Sequence, residues 1–193
     1  MYLNLETWDG LPKWSSEETK RAVFRSINNA LTTKVLQLVT PVIVATQLQM
    51  NIRDFHEVHT IFLRAMPRFQ GIVAQDCVKV LIDEDNDDGT SKKSLYFGKC
   101  VAFLQDSEGK QFVVLRWFTR HEDNGFDMIS KVPSFKLAPE GHTKSFSTLP
   151  LDAIVNGALM VPGGGSILGV VISTRTKAVY PAFSMSSSSF NTT

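Results

Sequence analysis

The sequence predicts a β-dominated α+β fold: a small antiparallel sheet or partly open barrel with an N-terminal helix packed on it. Three observations carry that reading. A single clear amphipathic stripe falls at 15–32, where Ala22, Val23, Phe24, Ile27, Ala30 and Leu31 recur at helical spacing. From Lys34 onward, short runs rich in Val, Ile, Leu, Thr and aromatics alternate with turn residues. The stretch Leu95–Pro162 reads as strand, turn, strand, a second turn and further short strands.

Taken in order, residues 1–14 are irregular, with Trp8 and Trp14 as anchors for the arm. Ser15 and Glu18 fit a capping box, and the helix they open ends near Thr32, where β-branched residues accumulate. Residues 34–46 favour extended structure, broken or edged at Pro41, which cannot donate to a ladder. Residues 47–66 fit both helical and alternating patterns and are read as extended or mixed. Pro67 and Gly71 bracket a turn, Ile72–Ile82 alternates as one strand, and Asp83–Lys93 is a polar loop closed by Asp88-Gly89. Leu95–Gln105 and Gln111–Thr119 form a hairpin across Asp106-Ser107-Glu108-Gly109, with Gly109 free to take positive φ. The second of these strands is apolar on both faces, as a covered central strand must be. Glu122–Gly125 turns, Phe126–Val132 is a strand, Pro133, Pro139 and Gly141 fall in a loop, and Leu151–Val161 turns and then ends as a strand. These readings divide the chain into an arm and helix at 1–33, a β-rich domain at 34–162 and a Gly/Ser-rich flexible tail at 163–193. The predicted core comprises Val23, Phe24, Ile27, Leu31, Val78, Val80, Phe97, Val101, Phe103, Val114, Leu115, Trp117, Ile154 and Leu159.

A chain of 193 residues with 43% hydrophobic side chains buries a core of useful size. Its 20 basic and 19 acidic residues leave a formal charge of +1, which supplies no general attraction to nucleic acid or anionic membrane. No apolar run approaches the ~18 residues of a membrane-spanning helix, and the start lacks a basic n-region followed by an apolar run. A nuclear or cytoplasmic setting follows, with Cys77 and Cys100 as reduced, buried thiols.

Candidate chemistry mostly fails on spacing. Asp83, Asp85 and Asp87 suggest a calcium loop, but its sixth and twelfth positions hold Asp88 and Ser94 where Gly and an acid belong. Gly163, Gly165 and Gly169 miss the dinucleotide-loop interval, and no P-loop lysine follows. His56 and His59 supply too few ligands for a metal, and no metal or cofactor is expected. No GxSxG elbow or cysteine-protease signature is present. The binding candidates are Tyr96, Trp117, Phe118, Arg116, Arg120 and Glu122. In this set aromatics beside an acid, Glu122 or Asp123, would cage a methylated ammonium by cation–π attraction. Phe97 adds a further aromatic. The plain alternative for Trp117 and Phe118 is core packing on opposite faces of one strand. Arg64, Arg68, Lys92, Lys93, Lys131, Lys136 and Lys144 form a phosphate-contacting surface only if the fold gathers them; otherwise they solubilise.

Two stretches resemble known families. Val114–Arg120, with W-F-x-R at Trp117–Arg120, and Ile154–Val161 resemble a strand and the closing strand of the bromo-adjacent homology module, a β-rich chromatin domain. Residues 64–163, with Asp76-Cys77-Val78, the following hairpin and the final I-V-x-g-a-x-l-v-P strand, resemble the C-terminal β-region of proteins encoded by basidiomycete transposons of the Kyakuja–Dileera–Zisupton and Plavaka-like groups. That region lies downstream of the catalytic domain in such proteins, so the chain reads as a fragment or degenerate copy and no catalytic residue carries over. The resemblance implies a non-catalytic interaction module that engages a histone peptide, DNA or another protein. The alternatives are a small metal-dependent hydrolase or nuclease using the Asp83–Asp88 acids with His121, or a structural remnant without activity.

Overall fold

A computed structural model describes residues 16–33, 43–54, 57–69, 72–85, 89–106, 108–120, 134–139, 142, 144–162 and 168–171. Within them, one helix packs on a curled antiparallel sheet that forms a half-barrel, the β-dominated α+β class the sequence predicts. The predicted turn at Glu122–Gly125 and strand at Phe126–Val132 lie outside the described residues.

The helix α1 spans Glu17–Thr32. Its cap is Ser16 rather than Ser15: the Ser16 Oγ accepts a hydrogen bond from the Thr19 amide at 3.1 Å. Glu17 and Glu18 complement the free amides of the first turn. Ala22, Val23, Phe24, Ile27 and Ala30 are buried, with Leu31 partly so. The buried hydroxyls of Ser26 and Thr148 satisfy each other at 2.8 Å and fix the helix to the sheet.

The centre of the sheet is a hairpin of β6 (Ser91–Gln105) and β7 (Gln111–Arg120). Asp106 Oδ1 accepts from the Glu108 and Lys110 amides at 3.0 and 2.8 Å, and Gly109 takes φ +80°. Each central strand has two successive neighbours along its outer edge. β6 pairs with β5 (Cys77–Asp85) along Ser91–Lys99 and then with β1 (Ile43–Ala45) along Phe103–Gln105. β7 pairs with β9 (Phe146–Pro150) along Phe112–Arg116 and with β8 (Ser134–Leu137) along Phe118–Arg120. β10 (Ile154–Pro162) pairs with β5, and β11 (Leu168–Val171) joins β10 to β8. A bulge between Cys100 and Ala102 resets the alternation of β6, so that Cys100 and Phe103 both enter the same core.

A second sheet contains β2 (Gln47–Asp54), β3 (Glu57–Phe69) and β4 (Ile72–Gln75). The described residues of the ambiguous segment 47–66 are therefore extended, with β2 and β3 paired antiparallel. They present Leu48 and Leu63 to the main sheet and leave Val58 and Phe62 exposed on the other side.

Several boundaries differ from the sequence reading. Pro67 lies inside β3, at the register shift between Met66 and Phe69, because an irregular ladder tolerates a missing donor. The single strand predicted at Ile72–Ile82 is two, divided at Asp76. The polar loop predicted at Asp83–Lys93 is ladder at both ends: Asp83 stands across from Lys93 and Glu84 across from Lys92 on β5 and β6. Gly89, just before β6, takes φ +78°, which glycine adopts without steric cost. Ser134–Leu137 and Phe146–Pro150, read as connections, are strands, and Leu168–Val171 pairs with the sheet although it lies in the range assigned to the tail.

The main sheet has two covered faces. On one, Val78, Val80, Cys100, Phe103, Val113, Leu115 and Ile154 pack under the β2–β3 hairpin. On the other, the helix covers Ala102, Leu104, Phe112, Val114 and Phe146, while Phe97 and Phe118 form a smaller cluster farther along. Of the predicted core, Leu159 is 55% exposed and Trp117 only partly buried. Leu159 sits where β10 leaves β5 and pairs with β11, so less of the sheet covers it.

Cys77 and Cys100 are both free thiols, Cys100 fully buried. Burial pushes the Cys77 pKa up from 9.0 to about 11, with Asp76 adding to the rise and Lys99 opposing it. Burial raises Cys100 well above the ordinary range too. A thiol whose folded pKa exceeds its unfolded value favours the native state below about pH 9, and that contribution is lost as pH rises through about 11. Native chain at pH 8 should consequently react with iodoacetamide on the order of tenfold or more slowly than chain in guanidinium. Equal rates would place the thiols at the surface.

Candidate functional site

Strand β7 sorts the candidate residues by parity. Trp117 projects to the side of Leu115, whereas Arg116, Phe118 and Arg120 project to the side of the helix. The register places Gly98 of β6 directly across from Trp117, so Trp117 shares a face with Tyr96, two residues before Gly98. The two rings meet edge to face, with centroids 5.9 Å apart and planes at 63°. Trp117 Nε1 donates to Ser147 Oγ at 2.8 Å, which fixes the indole plane.

An acid completes this corner. Glu84, half-buried on β5, accepts hydrogen bonds from the Tyr96 hydroxyl and from the Ser94 hydroxyl, one at each carboxylate oxygen. The corner thus presents two half-buried aromatics beside a fixed carboxylate, a combination suited to an organic cation. The sequence reading names Glu122 or Asp123 as the acid; both lie outside the described residues. The sequence does not point to Glu84, because its segment reads as a loop. Only the β5–β6 register reveals that it shares a face with Tyr96.

The remaining candidates separate from this corner. Phe118 is buried with Phe97, Phe135 and Leu137, so it belongs to the core. Phe97 stacks edge-on against Phe135 at 5.2 Å. The Arg116 Nε donates to the Ala138 carbonyl at 2.8 Å, and its guanidinium lies 5.8 Å from the Phe146 ring centre. Arg120 is exposed on the same side.

Asp83 and Glu84, the described acids of the supposed acidic loop with known side-chain placement, project from opposite faces of β5. Asp87, Asp88 and His121 lie outside the described residues. Among the described residues no three of His, Cys, Asp and Glu group closely enough to hold a metal ion, and no helix is long and apolar enough to cross a membrane.

Of the scattered basic residues, Arg64 has a structural task. Its Nε and Nη2 grip the Asp76 carboxylate at 3.1 and 3.2 Å, while the Arg64 amide donates to the same carboxylate at 2.8 Å. Asp76 is the break between β4 and β5, so this fork joins the two sheets at their junction. Lys92 and Lys93 on β6, Lys136 on β8 and Lys144 before β9 are exposed; Arg68 and Lys131 lie beyond the described side chains.

Compared with protein-family models, with curated proteins and with solved structures, the chain matches none.

Proposed function

We propose that this chain is a non-catalytic interaction module of a transposon-derived protein, and that it binds a chromatin or other protein partner by seating a methylated ammonium against Tyr96, Trp117 and Glu84. The observation that carries the reading is the edge-to-face pair of half-buried aromatics with a carboxylate bonded to one of them. A quaternary or tertiary ammonium prefers such a surface because its positive methyl groups are weakly hydrated and ring faces are electronegative. The carboxylate supplies the countercharge, and the Ser147 and Ser94 hydrogen bonds hold the site in place before the ligand arrives. The resemblance of Val114–Arg120 and Ile154–Val161 to a chromatin module supports the same class of partner.

The test is calorimetric titration with a histone-tail peptide bearing trimethyl-lysine, against the same peptide unmodified. Cation–π contacts of about 0.5–2 kcal/mol predict ~2- to 30-fold tighter binding of the methylated form. Tyr96→Leu and Glu84→Gln should each remove most of that preference. A chain that holds both peptides equally well, or neither, contradicts the reading.

A further inference from the structure

We propose that an extended basic peptide adds to this fold as a further strand, pairing its main chain with the open edge of β5 at Leu81–Asp85. The inference rests on the reading of the Tyr96–Trp117 corner for the peptide's chemistry, and it gives the rest of that peptide a place.

The edge follows from where β10 starts. β5 pairs with β6 along its whole length, from Cys77 to Asp85. On its other side the ladder with β10 covers Cys77 to Val80, because β10 begins at Ile154, after the short helical turn Leu151–Ala153. Among the described residues no strand continues that ladder past Val80.

Hydrogen-bond phase decides which peptide groups are left open there. In an antiparallel sheet successive residues turn their N–H and C=O to opposite neighbours. The Asp76 carbonyl accepts from the Cys100 amide at 2.9 Å, so it turns to β6, and in the same phase so do Val78, Val80, Ile82 and Glu84. Counting from β7 gives the same result. Trp117 bonds its amide to the Ser145 carbonyl and its carbonyl to the Ala138 amide, both away from β6. Gly98, directly across from Trp117, therefore turns to β5 and to Val78. Leu81 and Asp83 face outward, past the start of β10. Among the described residues neither has a hydrogen bond on that side.

An open strand edge is a template for another strand, and its charge selects which one. Asp83, Glu84 and Asp85 follow one another on this edge. Asp83 is exposed and forms no ion pair among the described residues. Glu84 takes its hydrogen bonds from the neutral hydroxyls of Ser94 and Tyr96. Lys92 and Lys93 stand on β6, one strand farther from the edge. A second copy of this edge would set acid against acid, which disfavours self-pairing, whereas a lysine-bearing strand meets the opposite sign. Alternation completes the fit. Ile82 and Glu84 share a face with Tyr96, so a peptide residue paired with either projects its side chain toward the Glu84 carboxylate and the tyrosine bonded to it.

The experiment is amide hydrogen exchange, followed by NMR on the full chain with and without the trimethyl-lysine histone-tail peptide. At a peptide concentration of about ten times Kd, the Leu81 and Asp83 amides should exchange on the order of tenfold more slowly. The Ile82 and Glu84 amides, already bonded to β6, should change much less. Asp83→Asn should weaken binding about two- to fivefold at low salt. Peptides N-methylated at alternate residues should separate by phase, one set binding and the other not. Preference for the methylated peptide with unchanged exchange at Leu81 and Asp83 overturns strand addition and leaves the corner reading standing. Slowed exchange at both residues without that preference upholds strand addition and overturns the corner reading. Failure of either peptide to bind overturns both. Equal binding of the two N-methylated sets overturns strand addition, and an unweakened Asp83→Asn overturns the choice of a basic partner.

Discussion

Leu115→Ala is expected to destabilise the fold by about 3–5 kcal/mol, toward the upper end of what deleting a buried leucine side chain costs. Leu115 is fully buried midway along β7, with hydrogen-bonded neighbours on both sides, β6 and β9. Its side chain enters the core formed by Val78, Val80, Cys100, Phe103 and Val113. It also fills the space over Gly98, where an added Cβ would meet the Leu115 Cβ and Cδ1 at 3.1 Å. Both sides are laddered backbone, so the vacated volume has little means of collapsing, and the lost contacts are not recovered. Urea unfolding measures the loss as a lower midpoint with unchanged slope. A loss below about 1 kcal/mol would mean this side of the sheet is not a packed interior.

Phe24→Ala should cost about 3–4 kcal/mol and should act through a different layer. Phe24 is 1% exposed on the helix and packs with Val23 and Ile27 against the cluster that holds Phe112, Val114 and Phe146. The helix is 16 residues long, marginal in isolation, so its stability comes from this docking. Circular dichroism of the variant should accordingly show helical signal lost at lower temperature than strand signal. An unchanged, single transition would show that the helix does not depend on this contact.

The helix and the central hairpin are legible in the sequence because their signals are local. A 3.6-residue stripe identifies α1, and an Asp-Ser-Glu-Gly turn between two apolar runs identifies β6 and β7. Strands β8, β9 and β11 are not legible. Each has only four or five residues, and Ser134–Leu137 pairs at the free end of β7 for reasons that lie in its partner. Asp83–Lys93 is illegible for the opposite reason: its charged residues read as loop, although residues of opposite sign stand across from each other on two paired strands. The site divides in the same way. Tyr96 and Trp117 are visible as aromatics in strands, and alternation alone puts Trp117 and Phe118 on opposite faces. That Phe118 is covered while Trp117 stays half-open depends on distant elements. So does the arrival of Glu84 beside Tyr96, a matter of register between strands.

The proposed function rests on the Trp117 indole forming one wall of a cation site. The most direct measurement follows its Nε1–H resonance, one of only three such signals, assigned with Trp117→Phe. Titration with a trimethyl-lysine peptide should move that resonance saturably, along with the backbone of Tyr96 and Glu84, while the unmodified peptide moves it much less. A Trp117 resonance that stays fixed through millimolar peptide, with or without shifts elsewhere, would contradict the assignment of this corner as the binding site.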